Sequence, residues 1–202
     1  NLNTTSTRRA NSIAFDIREA GRIKREGGKL DGKIIKDEKG SPLREPGMFK
    51  SVKGIGWFIK EYNIAQISYN LTDINVSPLH LVFDKTCEQA IKKGIRVTGS
   101  ELIGLVPKKV LIDAGEYFLK KQKRSLGVPE SEIINIAVKS LGLDDLFDFN
   151  PKERIIEYLI DEPKEKLSYL SLTDFANETS SESPAPGGGS ISAYCGTLAA
   201  SL

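Results

Sequence analysis

The alternation of apolar and polar residues is clearest at residues 52–73. Two runs rich in β-branched and aromatic residues, 55–59 and 64–71, flank a polar break at 60–63, which predicts a β-hairpin. Because side chains alternate across a strand, one face of the second run is apolar and predicts contact with a core: Ala65, Ile67, Tyr69 and Leu71. The other face carries uncharged amide and hydroxyl groups: Gln66, Ser68, Asn70 and Thr72. Such a face is typical either of an ordinary solvated strand or of a surface that binds a polar multi-ring ligand or a second protein.

Helical spacing of apolar residues precedes the hairpin. Residues 1–3 read as the end of a strand, and a helix capped among residues 4–7 is expected to end near Gly21 or at the pair 27–28. The buried stripe of this helix is predicted to be Ala10, Ile13, Ala14 and Ile17.

A second helix is predicted after the hairpin. Ser77 is expected to cap it, Pro78 to open its first turn and Gly94 to end it, and a short strand is predicted at 95–98. Its apolar stripe is predicted to be Leu79, Val82, Phe83, Ala90 and Ile91.

The order of these elements is strand, helix, two strands, helix, strand. It predicts an α+β fold, a ferredoxin-like βαββαβ antiparallel sheet with both helices on one face and additional helices after it. The other face of the sheet must then be covered or used, which favours a functional role for the polar face of the hairpin. Glycines, prolines and charges at 28–47 predict a loop or a small protruding hairpin that turns at Lys39 and Gly40.

Three further helices are expected in the second half of the chain. The first begins at Pro107, the second spans 130–141 with Gly142 past its end, and the third spans 150–160 with Asn150 as its cap.

The last part of the chain changes in character. Residues 161–168 are charged and predict a linker, and 172–177 predict a short helix. A glycine run then leads into a helix of small residues: Gly187, Gly188, Gly189 and Ser190. Free backbone N–H groups at such a helix start suit an anion, although a flexible linker is an equal alternative. The run is not a P-loop, because no lysine follows its last glycine.

Composition narrows the function classes. Among 202 residues, 29 basic and 27 acidic side chains leave a formal charge of +2 without a sustained basic stripe, so we expect no nucleic-acid partner. Cys87 and Cys195 lie far apart without a CxxC pattern, which favours reduced thiols in a cytoplasmic protein over a disulfide or a metal site. No apolar stretch approaches the ~20 residues that span a bilayer, and no signal peptide opens the chain, so we expect no membrane partner. The chain begins and ends in mid-pattern, and we expect it to be a piece of a longer polypeptide.

Several segments carry a specific resemblance to a known family. Those that resemble the C-terminal subdomain of glutamate formiminotransferase, in family order, are 52–57, 65–73, 98–107 and 151–158. Residues 184–190 and the helix after them resemble the opening of a formiminotetrahydrofolate cyclodeaminase domain. The combination is similar to the bifunctional formiminotransferase-cyclodeaminase family. It implies a formiminotransferase subdomain at 1–160, a linker at 161–170 and the first part of an all-α cyclodeaminase domain at 171–202.

The resemblance also implies an activity for the whole protein. It is transfer of the formimino group from N-formiminoglutamate to tetrahydrofolate in histidine degradation, followed by cyclisation to methenyltetrahydrofolate with loss of ammonia. In this family folate lies in a polar tunnel between two α/β subdomains, and the general base is a histidine of the N-terminal subdomain. We therefore expect the missing N-terminal subdomain as a partner, no catalytic residue in this chain and no activity of this chain by itself. We also expect tetrahydrofolate as co-substrate, no metal, a cytoplasmic location and a homo-oligomer.

The residue types and the resemblance together give a set of site candidates. Those expected to bind folate are Asn3, Gln66, Ser68, Asn70, Gly187, Gly188, Gly189 and Ser190. Arg18 and Arg22 are candidates for binding a substrate carboxylate, because a guanidinium can donate to both oxygens of a carboxylate at once. The single histidine, His80, is expected to cap or pack, and Glu101 either caps backbone N–H groups or binds the pterin.

Two alternatives to this function stay open. The chain is either folate-binding or a structural and dimerisation subdomain, with folate chemistry confined to the missing half. The tail either opens a cyclodeaminase domain or resembles a methenyltetrahydrofolate cyclohydrolase. The segment 28–47 is longer than the family pattern, and its role stays open.

Overall fold

The computed structural model describes residues 1–28, 32–160, 167–182 and 185–202. Contacts between residues divide the chain into two units, Asn1–Leu159 and Ile160–Leu202, which are described separately. Most of the predicted linker, residues 161–166, lies outside the described residues. The described elements, in chain order, are α1 (Thr7–Ile17), β1 (Arg22–Ile23), β2 (Arg44–Glu45), β3 (Val52–Ile59), β4 (Ile64–Leu71), α2 (Leu79–Lys92), α3 (Lys108–Lys121), α4 (Glu130–Leu141), α5 (Pro151–Arg154), α6 (Ile156–Ile160), α7 (Leu172–Thr179) and α8 (Gly188–Ala200).

The predicted hairpin forms the centre of the first unit. β3 and β4 pair antiparallel, with Trp57 opposite Gln66. The first residues extend this sheet, because the Leu2 N–H donates to the Ala65 carbonyl at 3.0 Å and Leu2 bridges antiparallel to Val97. The order of segments across the sheet is 52–59, 64–71, the N-terminal segment and the segment around Val97. This α+β arrangement confirms the predicted fold class.

Helix α1 is shorter than predicted. Ser6 caps it by accepting from the Arg9 N–H, and Arg18 ends it in an extended conformation, three residues before Gly21. The predicted stripe is confirmed, since Ala10, Ile13, Ala14 and Ile17 are all fully buried.

Three details of the prediction for α2 are wrong. The Ser77 hydroxyl donates to the Lys50 carbonyl at 2.6 Å, and Pro78 occupies the cap position without a side-chain acceptor. Ile91 is 70% exposed, whereas Thr86 and Gln89 are buried. Successive residues of a helix point about 100° apart. Because Ala90 faces the core, Ile91 faces solvent. Gly94, with φ of +69°, ends the helix as predicted.

Two hydrophobic cores lie side by side in the first unit. One joins α1 and α2 to a single face of the sheet: Leu2, Ala10, Ile13, Ile17, Val52, Ala65, Val82, Ala90 and Ile95. The other is built by α3, α4 and the segment at Ile155, and Leu79 and Phe83 of α2 pack against it. The later helices therefore pack beside α2.

The predicted helix at 150–160 is broken at Ile155. Asn150 caps α5 and Pro151 opens it as predicted, but Ile155 is extended, with φ of −91° and ψ of 122°. The Val106 N–H donates to the Arg154 carbonyl, and the Ile156 N–H donates to the Val106 carbonyl. Ile155 is fully buried. The parallel bridge between Val106 and Ile155 thus interrupts the helix and places the Ile155 side chain in the core.

The segment after α1 forms a protruding hairpin. β1 pairs with β2, and further bridges join Arg25 to Ile34 and Lys36 to Pro42. The turn lies at Lys39 and Gly40 as predicted, with Gly40 at φ of +78°. None of the described residues from 22 to 45 is buried.

The second unit contains α7 and α8. Ser171 caps α7 by accepting from the Asp174 N–H, and the rings of Phe175 and Tyr194 meet edge to face at 5.8 Å. No helix among the described residues is long and apolar enough to cross a bilayer.

Candidate functional site

The candidate site lies on the sheet face opposite α1 and α2. Neighbouring residues of β3 and β4 stand opposite one another on this face in three pairs: Lys53 with Asn70, Ile55 with Ser68, and Trp57 with Gln66. Ile55 is 57% exposed and Trp57 is 52% exposed, and Ser68 and Asn70 are exposed beside them. Two large apolar side chains on an exposed strand face indicate a surface that binds something.

A groove of about 590 Å³ opens at one end of this face. Its polar lining comes from β3, β4, the end of α1 and the residues beside them: Arg18, Glu19, Ser51, Lys53, Ser68, Asn70 and Thr72. The volume falls within the roughly 300–1,000 Å³ of small-molecule sites. The groove combines two cations and uncharged donors and acceptors with one carboxylate, that of Glu19, which accepts from the Ser51 N–H at 2.7 Å.

The end of α1 places Arg18 at this groove. Its guanidinium donates to the Gly54 carbonyl at 3.0 Å and the Gly21 carbonyl at 3.1 Å, and stacks on Phe15 at 4.1 Å from the ring centre. Burial, followed by the nearby charge of Arg44, lowers the pKa of Arg18 below its usual value, although an arginine stays protonated at neutral pH. Arg18 is therefore a positive charge that two carbonyl groups and the Phe15 ring fix in place at the wall of the groove.

Arg22 does not join Arg18 there. Its guanidinium pairs with the carboxylate of Asp16 and donates to the Ser12 carbonyl at 3.2 Å. Lys93 pairs with the other oxygen of Asp16 at 2.8 Å. Arg22 thus interacts with the side of α1 and is absent from the groove lining.

Gln66 lies on the predicted face, but protein groups use its amide. Its oxygen accepts from the Trp57 indole N–H at 3.2 Å. Its nitrogen donates to Asn1 Oδ1 at 2.7 Å and to Glu101 Oε2 at 2.9 Å. Asn3 is similarly engaged, because its side-chain oxygen accepts from the Arg96 N–H at 2.7 Å. Of the four predicted sheet residues, only Ser68 and Asn70 line the groove.

The sequence left two alternative roles open for Glu101 and two for His80. The prediction that Glu101 caps backbone N–H groups is wrong, because its hydrogen bond is to the Gln66 side chain and the next helix begins at Lys108. His80 packs on Tyr117, with ring centres 4.7 Å apart, and burial lowers its pKa. Packing is one of the two roles predicted for His80.

The glycine run lies in the second unit. Gly187 occupies the cap position of α8, and Gly188, Gly189 and Ser190 form its first turn, so the flexible-linker alternative is wrong for these four residues. A Cβ atom built on any of the three glycines would meet no atom within 4 Å. The helix start is exposed, and a folate role for it stays a prediction. Pro184 lies outside the described residues.

The sequence reasoning missed Lys53 and Trp57. A signal was present, because the alternation of β3 places these residues and Ile55 on one face once the hairpin register is known. Among the described residues, no group of three or more His, Cys, Asp or Glu side chains is arranged to hold a metal ion, and the predicted lack of a metal stays a prediction.

Comparisons with known proteins cover the whole chain. The formiminotransferase domain family matches residues 1–161, and the formiminotransferase-cyclodeaminase family matches residues 171–202. Formimidoyltransferase-cyclodeaminase of Sus scrofa is 41% identical over 205 residues, covering 100% of this chain and 34% of that protein. The protein of the same name from Dictyostelium discoideum is 35% identical, covering 100% and 35%. Glutamate formimidoyltransferase of Streptococcus pyogenes serotype M1 is 39% identical over 74 residues, covering 37% and 25%. The chain spans about a third of the length of the curated relatives that match all of it.

Proposed function

The chain belongs to the formiminotransferase domain family, and from this premise we propose that residues 1–160 are the folate-binding C-terminal subdomain of a glutamate formiminotransferase. Residues 161–170 are a linker, and 171–202 are the first part of an all-α cyclodeaminase domain. The two family matches, 1–161 and 171–202, support this division.

The whole protein transfers the formimino group from N-formiminoglutamate to tetrahydrofolate in histidine degradation, and its second domain cyclises the product with release of ammonia. The names of the relatives support both activities, because two of them carry both in one chain. The match of 171–202 favours a cyclodeaminase over a cyclohydrolase-like tail.

One observation carries the folate proposal. The uncovered sheet face holds a groove of about 590 Å³ that joins uncharged donors and acceptors to two cations, which outnumber the single carboxylate, that of Glu19. Ser68 and Asn70 can bond the polar edges of a folate, and Lys53 and Arg18 can attract its carboxylates. The candidate contacts at Asn3, Gln66 and Arg22 are weaker, because a protein partner already binds at least one polar atom of each side chain.

The general base of the transfer belongs to the N-terminal subdomain, which closes over this face. The protein is a cytoplasmic homo-oligomer. The two cysteines are unpaired, which supports a reducing compartment.

A second candidate function is a structural and dimerisation module. The exposure of Ile55 and Trp57 favours it, since large apolar side chains on a sheet face also suit a protein partner. Folate chemistry would then be confined to the N-terminal subdomain.

Folinate titration into the full-length protein separates the two functions. Changing Ser68 and Asn70 together to Ala removes two hydrogen-bonding side chains worth about 0.5–1.5 kcal/mol each, so folate binding should weaken about 5- to 150-fold. The matched control is Asn135→Ala, on the exposed side of α4, which should leave the affinity unchanged. An unaltered dissociation constant in the double variant favours the structural module.

A further inference from the structure

The sheet face has two chemically different ends. At the groove end, Lys53 stands opposite Asn70, close to Arg18. At the other end, Trp57 stands opposite Gln66, which contacts Glu101. Trp57 lies four residue steps after Lys53 on β3, so the two ends are about 13 Å apart.

At the second end, the indole of Trp57 is held in place. Its N–H donates to Gln66, whose amide is held in turn by Glu101 and Asn1. With its single donor used, the half-exposed indole offers only its apolar ring to a ligand. A fixed, exposed aromatic ring suits stacking against a flat heterocycle.

Glu101 supplies the polar part of this end. It is half-buried, and none of the described lysine or arginine side chains forms an ion pair with it. One oxygen accepts from Gln66, which leaves lone pairs on both oxygens for a ligand. The best partner for a carboxylate is a planar group that presents two adjacent N–H donors, as a guanidinium does.

We infer that bound folate is oriented with its pteridine at Trp57 and Glu101 and its glutamate at Lys53 and Arg18. This inference rests on the proposed function and adds the direction of the ligand and two recognition residues. The aminopyrimidinone edge of a pteridine presents adjacent N–H donors to the Glu101 carboxylate while its ring stacks on Trp57. The glutamate carboxylates then meet the cationic end, and a reversed ligand would place them against Glu101. Gln66 is a positioning residue that fixes both recognition side chains.

Two ligands test the direction in the full-length protein. Folinate carries the glutamate, and 5-formyltetrahydropteroate lacks it. Glu101→Gln should weaken both ligands by about tenfold, because it removes a charged acceptor that meets the pteridine in either case. Lys53→Met should weaken folinate several-fold and leave the pteroate unchanged. Trp57→Ala should weaken both by about tenfold, and Trp57→Phe should restore most of the loss.

The positioning role of Gln66 has its own measurement. Gln66→Met keeps the size of the side chain and removes its hydrogen bonds. We expect acrylamide to quench the Trp57 emission more strongly in this variant, with the spectrum of Trp57→Phe subtracted. Unchanged quenching contradicts the positioning role, and an unchanged melting temperature shows that the fold is intact.

The outcomes are distinguishable. If Lys53→Met weakens both ligands equally and Glu101→Gln affects only folinate, the direction is reversed and the inference is overturned. If none of the variants changes the affinity for either ligand, this face does not bind the ligand and the inference fails. A wild-type protein that binds no folinate overturns the proposed function itself.

Discussion

Replacement of Gly56 by Ala tests how α1 is docked on the sheet. A Cβ atom on Gly56 would lie 2.5 Å from the Asn11 backbone nitrogen and 2.6 Å from the Ala10 Cβ. Both Asn11 side-chain groups bind the Gly56 backbone, the oxygen accepting from its N–H at 3.0 Å and the nitrogen donating to its carbonyl at 2.9 Å. The backbone of Gly56 does not have positive φ, so the close approach of the helix is what excludes a side chain.

The magnitude follows from these contacts. Overpacking costs about 1–3 kcal/mol, and each strained hydrogen bond adds about 0.5–1.5 kcal/mol. We expect the free energy of unfolding to fall by about 3 kcal/mol, which corresponds to a melting temperature roughly 6–12 °C lower in a chain of this size.

Urea unfolding followed by circular dichroism measures the loss. The matched control is Gly127→Ala, where the nearest atom to the added Cβ is at 3.5 Å, an ordinary contact. We expect that variant to stay within about 0.5 kcal/mol of the wild type. If Gly56→Ala is no less stable than Gly127→Ala, α1 does not approach the sheet as closely as described, and the position of Arg18 at the groove loses its support.

Two further predictions concern the packing of α3. Burial by itself would raise the pKa of Asp84, but hydrogen bonds from Lys121 and Tyr117 outweigh it and lower the pKa below its usual 3.8. Asp84→Asn should therefore cost about 1 kcal/mol at pH 7, and the difference from the wild type should shrink as the pH falls below about 4, measured by urea midpoints at several pH values. A difference that does not change with pH would show that the charge of Asp84 is not what stabilises the fold. Glu157 accepts from the Lys108 N–H at 2.6 Å and replaces the acceptor that Pro107 lacks, so Glu157→Ala should lower the free energy of unfolding by about 1 kcal/mol. Equal stabilities of Glu157→Ala and a control at an exposed turn, Glu38→Ala, would contradict this capping role.

The elements followed from periodicity because their patterns are local. The alternation of β4 predicted which of its side chains enter the core, and Ala65, Ile67, Tyr69 and Leu71 do so. Ala10, Ile13, Ala14 and Ile17 are buried as their spacing predicted. The points where helices are interrupted were harder to predict, because residues distant in the sequence determine them. Ile155 leaves the helix to pair with Val106, which lies 49 residues earlier in the chain.

The candidate site followed only in part from the same patterns. Alternation correctly put Gln66, Ser68 and Asn70 on one face, yet it cannot tell a free amide from an engaged one. Gln66 meets Glu101 across 35 residues of sequence, and this contact turns a predicted ligand contact into a support for Trp57. Arg18 and Arg22 looked equivalent, and the carboxylate of Asp16 separates them.

By itself the sequence determined the helices, the hairpin, the class of fold and the polarity of each strand face, because side-chain direction in a strand or helix depends only on spacing along the chain. Tertiary structure alone decided which face stays uncovered, where the groove lies and which polar groups are free to bind. Those properties depend on contacts between residues far apart in the sequence, and no local pattern records them.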